Sequence, residues 1–429
     1  MNNNYPLKTR TFFEKIGFWS LALTFFTISF HRFLSLYVLG FFLFTGFALW
    51  ILDYHKLYND FLKIWYVILP PVLYFFINLI SIVLQYGSFS VIIKKLMFFL
   101  VPALGFPVFY SKYTRSKISL LFKVYALGIL IVSIYLFIRL LLKVHTNYPG
   151  DIPVISWIFQ HDQEYTSLGF SILEHPTYLA LKINWLLILL FFVNNSKKFG
   201  SKSWIYLFLI VFLTVILYLL GSKSGLFLWI ILVVAFLVNR MLKAHNPFFY
   251  IISIIVFLFV AGITVTEIPR VKRYISSIEP AIDSTQIDWK NLDQRTREWY
   301  AAIQLIKEKP VFGHGLAKVE DRMVEEYKKN GWEEEARLRF NAHNQFLEAQ
   351  MTFGIPGTLS LIWMLITPVL VRKRLKYPKL AVAFTAMMSF FLLFESMFNR
   401  QWGIMFFILF YCILLSQFRE NESETKNTI

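Results

Sequence analysis

Cysteine and charge are both scarce here: one cysteine in 429 residues, 16% charged residues, and only 26 acids among them. The lone thiol, Cys412, makes no internal disulfide and supplies no cysteine metal cluster. A water-soluble domain carries about 25% charged residues, so this chain lacks the polar surface to coat a soluble particle. With Gly at 18 and Pro at 15, collagen-like and low-complexity disordered chains are also excluded. No aspartate pair reads D-x-D. The nearest match is Asp162-Gln163-Glu164, and no H-E-x-x-H spacing joins any of the 8 histidines. Neither a resident metal nor any other cofactor is expected.

What is present is apolar bulk, 57% hydrophobic and 19% aromatic, with 47 phenylalanines. A helix crosses the hydrocarbon core with about 20 mostly apolar residues. Runs that satisfy this roughly fall at 16–30, 34–52, 64–85, 91–110, 118–142, 177–194, 204–220, 225–240, 247–266, 345–371, 379–397 and 402–417. The expected fold is an all-α polytopic membrane protein with about 12 transmembrane helices. Three regions follow: spans 1–9 in 1–266, a loop domain in 267–344, and spans 10–12 with a tail in 345–429.

Lys and Arg outnumber acids by 43 to 26, giving a net charge of +17. In a soluble protein that excess would suggest nucleic acid, but no RNA-binding motif accompanies it. Instead the charges fall in alternate loops: Lys8, Arg10 and Lys15; Lys56 and Lys63; Lys112, Arg115 and Lys117; Lys197, Lys198 and Lys202; Arg240 and Lys243; and Arg372 through Lys379. Basic loops stay inside, so both termini are expected in the cytoplasm, with 143–176 and 267–344 outside. Within the second loop, Asp293 is placed to cap a helix over QRTREWYAAIQLIKEK, with an apolar stripe at Trp299, Ile303 and Ile306. A second helix fits 319–329, closed by Gly331.

Three clusters face outward in this topology. Ser222, Lys223 and Ser224 sit between glycines at the turn before span 8. Arg295 and Arg297 lie beside Trp299. His343 and Asn344 enter span 10, followed by Gly354-Ile355-Pro356-Gly357. Guanidinium forks and an ammonium suit phosphate oxygens, and a neutral imidazole can take a proton from an attacking hydroxyl. Each has a plainer reading. His343 would cap span 10, Arg295 and Arg297 would be loop charges, and Lys223 would be an interfacial anchor that snorkels. His175 would hold the end of span 6, and His314, between two glycines, would mark a tight turn. Arg139, Lys182, Glu348 and Glu395 fall inside apolar runs, where charge is expensive. A pairing of Lys182 with Glu348 is one way to offset that.

The stretches RTREWYAAIQLIKEKPVFGHG (295–315) and AHNQFLEAQMTFGIPG (342–357), with HPTYLA at 175–180, resemble the O-antigen ligase/polymerase superfamily. The resemblance implies a bacterial inner-membrane enzyme with a GT-C-like helical fold and one large periplasmic loop. It also implies metal-independent transfer of a glycan from undecaprenyl diphosphate to an acceptor hydroxyl on the periplasmic side. Arg295 then maps onto the family's loop arginine and His343 onto the histidine of its H-N pair. Lys223 falls where the family carries a second arginine, a departure that keeps the charge but loses the fork. Arg295, Arg297 and Lys223 become diphosphate ligands and His343 the base, with Ser222, Ser224, Asn344, His175 and Trp299 in support. The acceptor stays open between a lipid A-core, as for a ligase, and a second carrier-linked chain, as for a polymerase. A polytopic lipid or polysaccharide transporter is the rival from another class, though no internal repeat of the transporter kind is present.

Overall fold

The computed structural model describes residues 7–85, 87, 89–194, 203–266 and 293–418. Among the described residues the chain is helical, with no strand beyond an isolated bridge between Leu375 and Phe418. Every apolar run expected from sequence coincides with a helix. They begin with Leu7–Thr27, Arg32–Leu52, Tyr54–Leu84, Met97–Tyr110, Ile118–Asn147 and Pro176–Asn194. They continue with Ser203–Leu220, Lys223–Met241, Phe248–Thr266, Gln345–Leu370, Pro378–Phe394 and Gln401–Leu415. By length and composition, 6 of the described helical stretches are long and apolar enough to cross a membrane, and 5 more are apolar but shorter. The protein is therefore a multi-pass α-helical membrane protein.

The chain forms two compact units. One combines Met1–Tyr125 with Glu298–Ile429. At its centre is Gln401–Leu415, buried at every position from Gly403 to Leu415. A helix apolar on all sides belongs in a core, and this one carries Phe410 against Phe25, Tyr125, Phe384 and Phe406. The other unit is Ala126–Arg297. Its core helix is Pro176–Asn194, buried from Tyr178 to Leu189. Gly225 there sits against Ala180, at a point where an added Cβ would meet the alanine methyl at 2.6 Å.

The described part of the 267–344 loop is folded, and residues 267–292 lie outside the described set. Asp293 accepts the Arg295 N–H at 2.8 Å and the Thr296 hydroxyl at 2.8 Å, opening the expected helix, Gln294–Glu308. The expected second helix is Val319–Lys329, with Gly331 at φ 73 beyond its end. A third, Glu333–Leu338, was not anticipated. The apolar stripe needs correction. Glu298, Ala301, Ala302 and Leu305 are the buried positions, while Ile303 is 41% exposed. The two alanines let Met323 and Tyr327 pack close, with Trp332, Ala336 and Met351 in the same cluster.

That loop is stitched to a broken helix. Within Gln345–Leu370, Gly354 adopts φ 63 and ψ −148, which interrupts the helical ladder. Backbone groups freed inside an apolar helix need partners, and the 311–315 turn supplies them. His314 N–H donates to Met351 C=O at 2.8 Å, Gly315 N–H to Thr352 C=O at 2.7 Å, and Ile355 N–H to Val311 C=O at 2.9 Å. The His314 ring is buried and reaches Leu305 C=O through Nε2 at 2.8 Å. The Gly313-His314-Gly315 and Gly354-Ile355-Pro356-Gly357 motifs are thus two halves of one structural device, and His314 has the turn role expected of it.

Candidate functional site

In the unit that contains it, His343 is held in an unusual backbone. Its φ is 43, the left-handed region that few non-glycine residues occupy, and its N–H donates to Asn341 Oδ1 at 2.8 Å. Capping of the following helix belongs to Asn344, not His343: Asn344 Oδ1 accepts the Phe346 and Leu347 N–H groups at 2.9 and 3.1 Å. The imidazole is thereby free of the capping task. Its side chain is 24% exposed.

Two buried carboxylates flank the ring. Nδ1 lies 3.0 Å from Glu395 Oε1, and Nε2 lies 3.9 Å from Glu298 Oε1. Glu395 follows the end of Pro378–Phe394, just before a short turn at Met397–Asn399. That turn is fixed from two sides. Gln345 Oε1 accepts the Phe398 N–H at 2.7 Å. The buried Lys95 ammonium donates to Phe398 C=O and, at 3.2 Å, to Asn399 Oδ1. The buried Glu348 carboxylate nearby receives the Ala342 N–H at 3.4 Å. Lys95 and Gln345 therefore set where Glu395 stands, and Glu395 sets the ring. The Glu395 carboxylate at Nδ1 fixes the orientation of the imidazole.

Trp299 belongs to the same unit as His343 and Asn344. Arg295, Arg297, Lys223, Ser222, Ser224 and His175 belong to the other. There, Ser222 caps Lys223–Met241 by accepting the Gly225 N–H at 3.3 Å, and Lys223 is the first helical residue, its side chain exposed. Gly221, at φ 58, makes the turn. His175 stands at the start of Pro176–Asn194, its C=O accepting the Tyr178 N–H at 3.0 Å and its Nδ1 facing the Thr177 N–H at 3.4 Å. Lys182 does not pair with Glu348. It forms a fully buried ion pair with Glu174 at 2.6 Å. Burial lifts the Glu174 carboxyl to about 7, against the pull of the Lys182 ammonium. Arg139 reaches Gly169 C=O at 2.9 Å.

Residues 207–362 match the family model described as O-Antigen ligase. The match spans about a third of the chain, and over that segment the chain is similar to the O-antigen ligase family. No curated protein matches the chain. The O-antigen ligase match contains Lys223, Arg295, Arg297, Trp299, His343 and Asn344, whereas His175 and Glu395 lie outside it.

Sequence reasoning missed two residues beside His343. Glu395 carried a readable signal, an acid inside an apolar run, but no partner pointed to it. Glu298 carried none, since an acid next to Arg297 on a helix reads as a solvated charge.

Proposed function

We propose that this O-antigen ligase family protein transfers a glycan from undecaprenyl diphosphate to a hydroxyl of a lipid A-core acceptor. The reaction takes place on the periplasmic side of the bacterial inner membrane. The observation that carries the reading is the His343 ring bonded through Nδ1 to buried Glu395 at 3.0 Å, inside an O-antigen ligase segment that also supplies Lys223, Arg295 and Arg297.

His343 Nε2 accepts the acceptor's hydroxyl proton as that oxygen bonds the anomeric carbon. The bond from that carbon to the diphosphate oxygen breaks in the same displacement, and undecaprenyl diphosphate leaves with its electron pair. Arg295, Arg297 and Lys223 hold the diphosphate as its charge develops. Positioning of two bound substrates supplies about 7–11 kcal/mol, each preorganised donor about 2.7–4 kcal/mol, and a general base roughly 100- to 10,000-fold. A single displacement inverts the anomeric configuration. The lack of a D-x-D pair in the sequence supports a metal-independent reaction, so transfer should proceed at full rate in EDTA.

The test uses purified protein in detergent with a carrier-linked glycan and two competing acceptors, lipid A-core and a second carrier-linked chain. Glycan on the lipid A-core, of inverted configuration, and its loss in His343→Ala and Arg295→Ala, is the expected result. Product confined to the second carrier would make the enzyme a polymerase. Vectorial movement in vesicles with no new glycosidic bond would make it a transporter.

A further inference from the structure

The helices Val319–Lys329 and Glu333–Leu338 leave an open cavity of about 600 Å³, lined by Val324, Lys328, Glu333, Glu334, Ala336 and Arg337, with Arg339 at its wall. Ligand clefts usually measure about 300–1,000 Å³. The Arg339 fork is committed to Glu320 and Asp321. Lys328 and Arg337 differ: both are exposed, and neither side chain makes a hydrogen bond or ion pair among the described residues. Two cations without partners among the described residues thus face a cavity whose floor is apolar at Val324 and Ala336 and whose other polar groups are the carboxylates of Glu333 and Glu334 and the already paired Arg339.

The cavity lies a short stretch of chain from His343. Arg339 precedes it by four residues, and four residues of extended chain reach at most about 14 Å. The Phe340 ring between them lies 6.2 Å from the imidazole, and its C=O accepts the Tyr327 hydroxyl at 3.2 Å, which ties the connecting strand of chain to the Val319–Lys329 helix.

We propose that this cavity is a saccharide subsite that takes an anionic sugar residue, a uronic acid or a phosphorylated sugar, of a glycan reaching toward His343. Arg337 grips the acid group with its planar fork and Lys328 adds a point charge. Glu333 and Glu334 accept hydroxyl protons, and the Val324–Ala336 floor meets the carbon face of the ring. The proposal rests on the glycan-transfer reading for its biological use, and the acidic residue belongs to the acceptor or the donor chain, since both present the same chemistry.

Two measurements on the full-length protein in detergent test it. Calorimetric titration with trigalacturonate and with neutral maltotriose reads the subsite without any turnover. Trigalacturonate should bind the wild type, bind the Lys328→Gln/Arg337→Gln protein roughly tenfold more weakly, as expected for two solvent-screened contacts, and outcompete maltotriose. Steady-state transfer then assigns the source: the double variant should raise KM for whichever substrate carries the acid by about the same factor, with kcat unchanged. Equal binding of trigalacturonate by the wild type and the variant overturns the subsite even if transfer is robust. Absence of transfer by the wild type, with charge-dependent trigalacturonate binding retained, instead overturns the glycosyltransferase reading and leaves the subsite standing.

Discussion

A histidine base needs one nitrogen tied down, and for the proposed base, His343, Glu395 Oε1 does this at 3.0 Å from Nδ1. Replacing Glu395 with Gln keeps the shape but removes the charge that orients the ring and stabilises the imidazolium. The expected result is a fall in kcat of about 100-fold or more with KM for donor little changed, measured as initial rates of glycan transfer. A drop of less than about threefold would detach Glu395 from the His343 chemistry. At Lys223 the expectation runs the other way. Lys223→Arg restores a bidentate fork and should keep or improve donor use, whereas Lys223→Ala should raise the donor KM, in the same assay. Much of this site was legible in the sequence, because the H-N pair and the arginine-tryptophan stretch are contiguous motifs. Glu298 was not, because its burial depends on which face of Gln294–Glu308 packs inward, and that is decided by the Ala301–Ala302 pair meeting Met323 and Tyr327. The Lys182 partner was misread for a similar reason. The chain just before Pro176 folds back along its own helix and presents Glu174 to Lys182, so a local partner replaces the distant Glu348.

At the scale of elements, the break at Gly354 and the 311–315 turn form one unit. A side chain at Gly354 would adopt a backbone costing about 1–3 kcal/mol and would collide with the Val311 backbone. Gly354→Ala should therefore lose about 2 kcal/mol or more of stability, seen as a lower unfolding midpoint in detergent. The Glu174–Lys182 pair gives a second expectation. Removing one member of a buried pair costs about 3–5 kcal/mol, whereas replacing both with apolar residues is often neutral. Lys182→Met should destabilise strongly and the Glu174→Leu/Lys182→Met protein should recover most of the loss, by the same unfolding measurement. A double variant as unstable as the single one would show that the pair has a task besides compensating its own charge. Helix positions were readable from apolar runs alone, since lipid imposes a length. The break itself was readable only as glycines and a proline, and its closure by a turn some 40 residues earlier in the chain could not be inferred from local pattern.

At the scale of the whole molecule, the distribution of basic loops predicts that 293–344 faces outward and 372–379 inward. Cysteines introduced singly at Lys328 and Lys376 should report this. An impermeant maleimide applied to spheroplasts should label the first and not the second. The native Cys412 is buried and should stay silent. The opposite labelling pattern would invert the orientation on which the periplasmic reaction depends.

The unit built on Gln401–Leu415 is discontinuous in the chain, its two parts separated by the contiguous unit Ala126–Arg297. Synthesis proceeds at about 5–20 residues per second, so roughly 10–35 s pass on the ribosome between the two parts, and roughly 5–20 s more before residue 398. Until then Phe25, Phe98 and Tyr74 wait for Phe398, Phe407 and Phe410, rings that arrive last. The intervening segment can assemble without delay, while the early helices persist as an unfinished shell that either lipid or an insertase must shelter. Truncation before residue 401 should accordingly leave Ala126–Arg297 protease-resistant and the amino-terminal helices open to degradation.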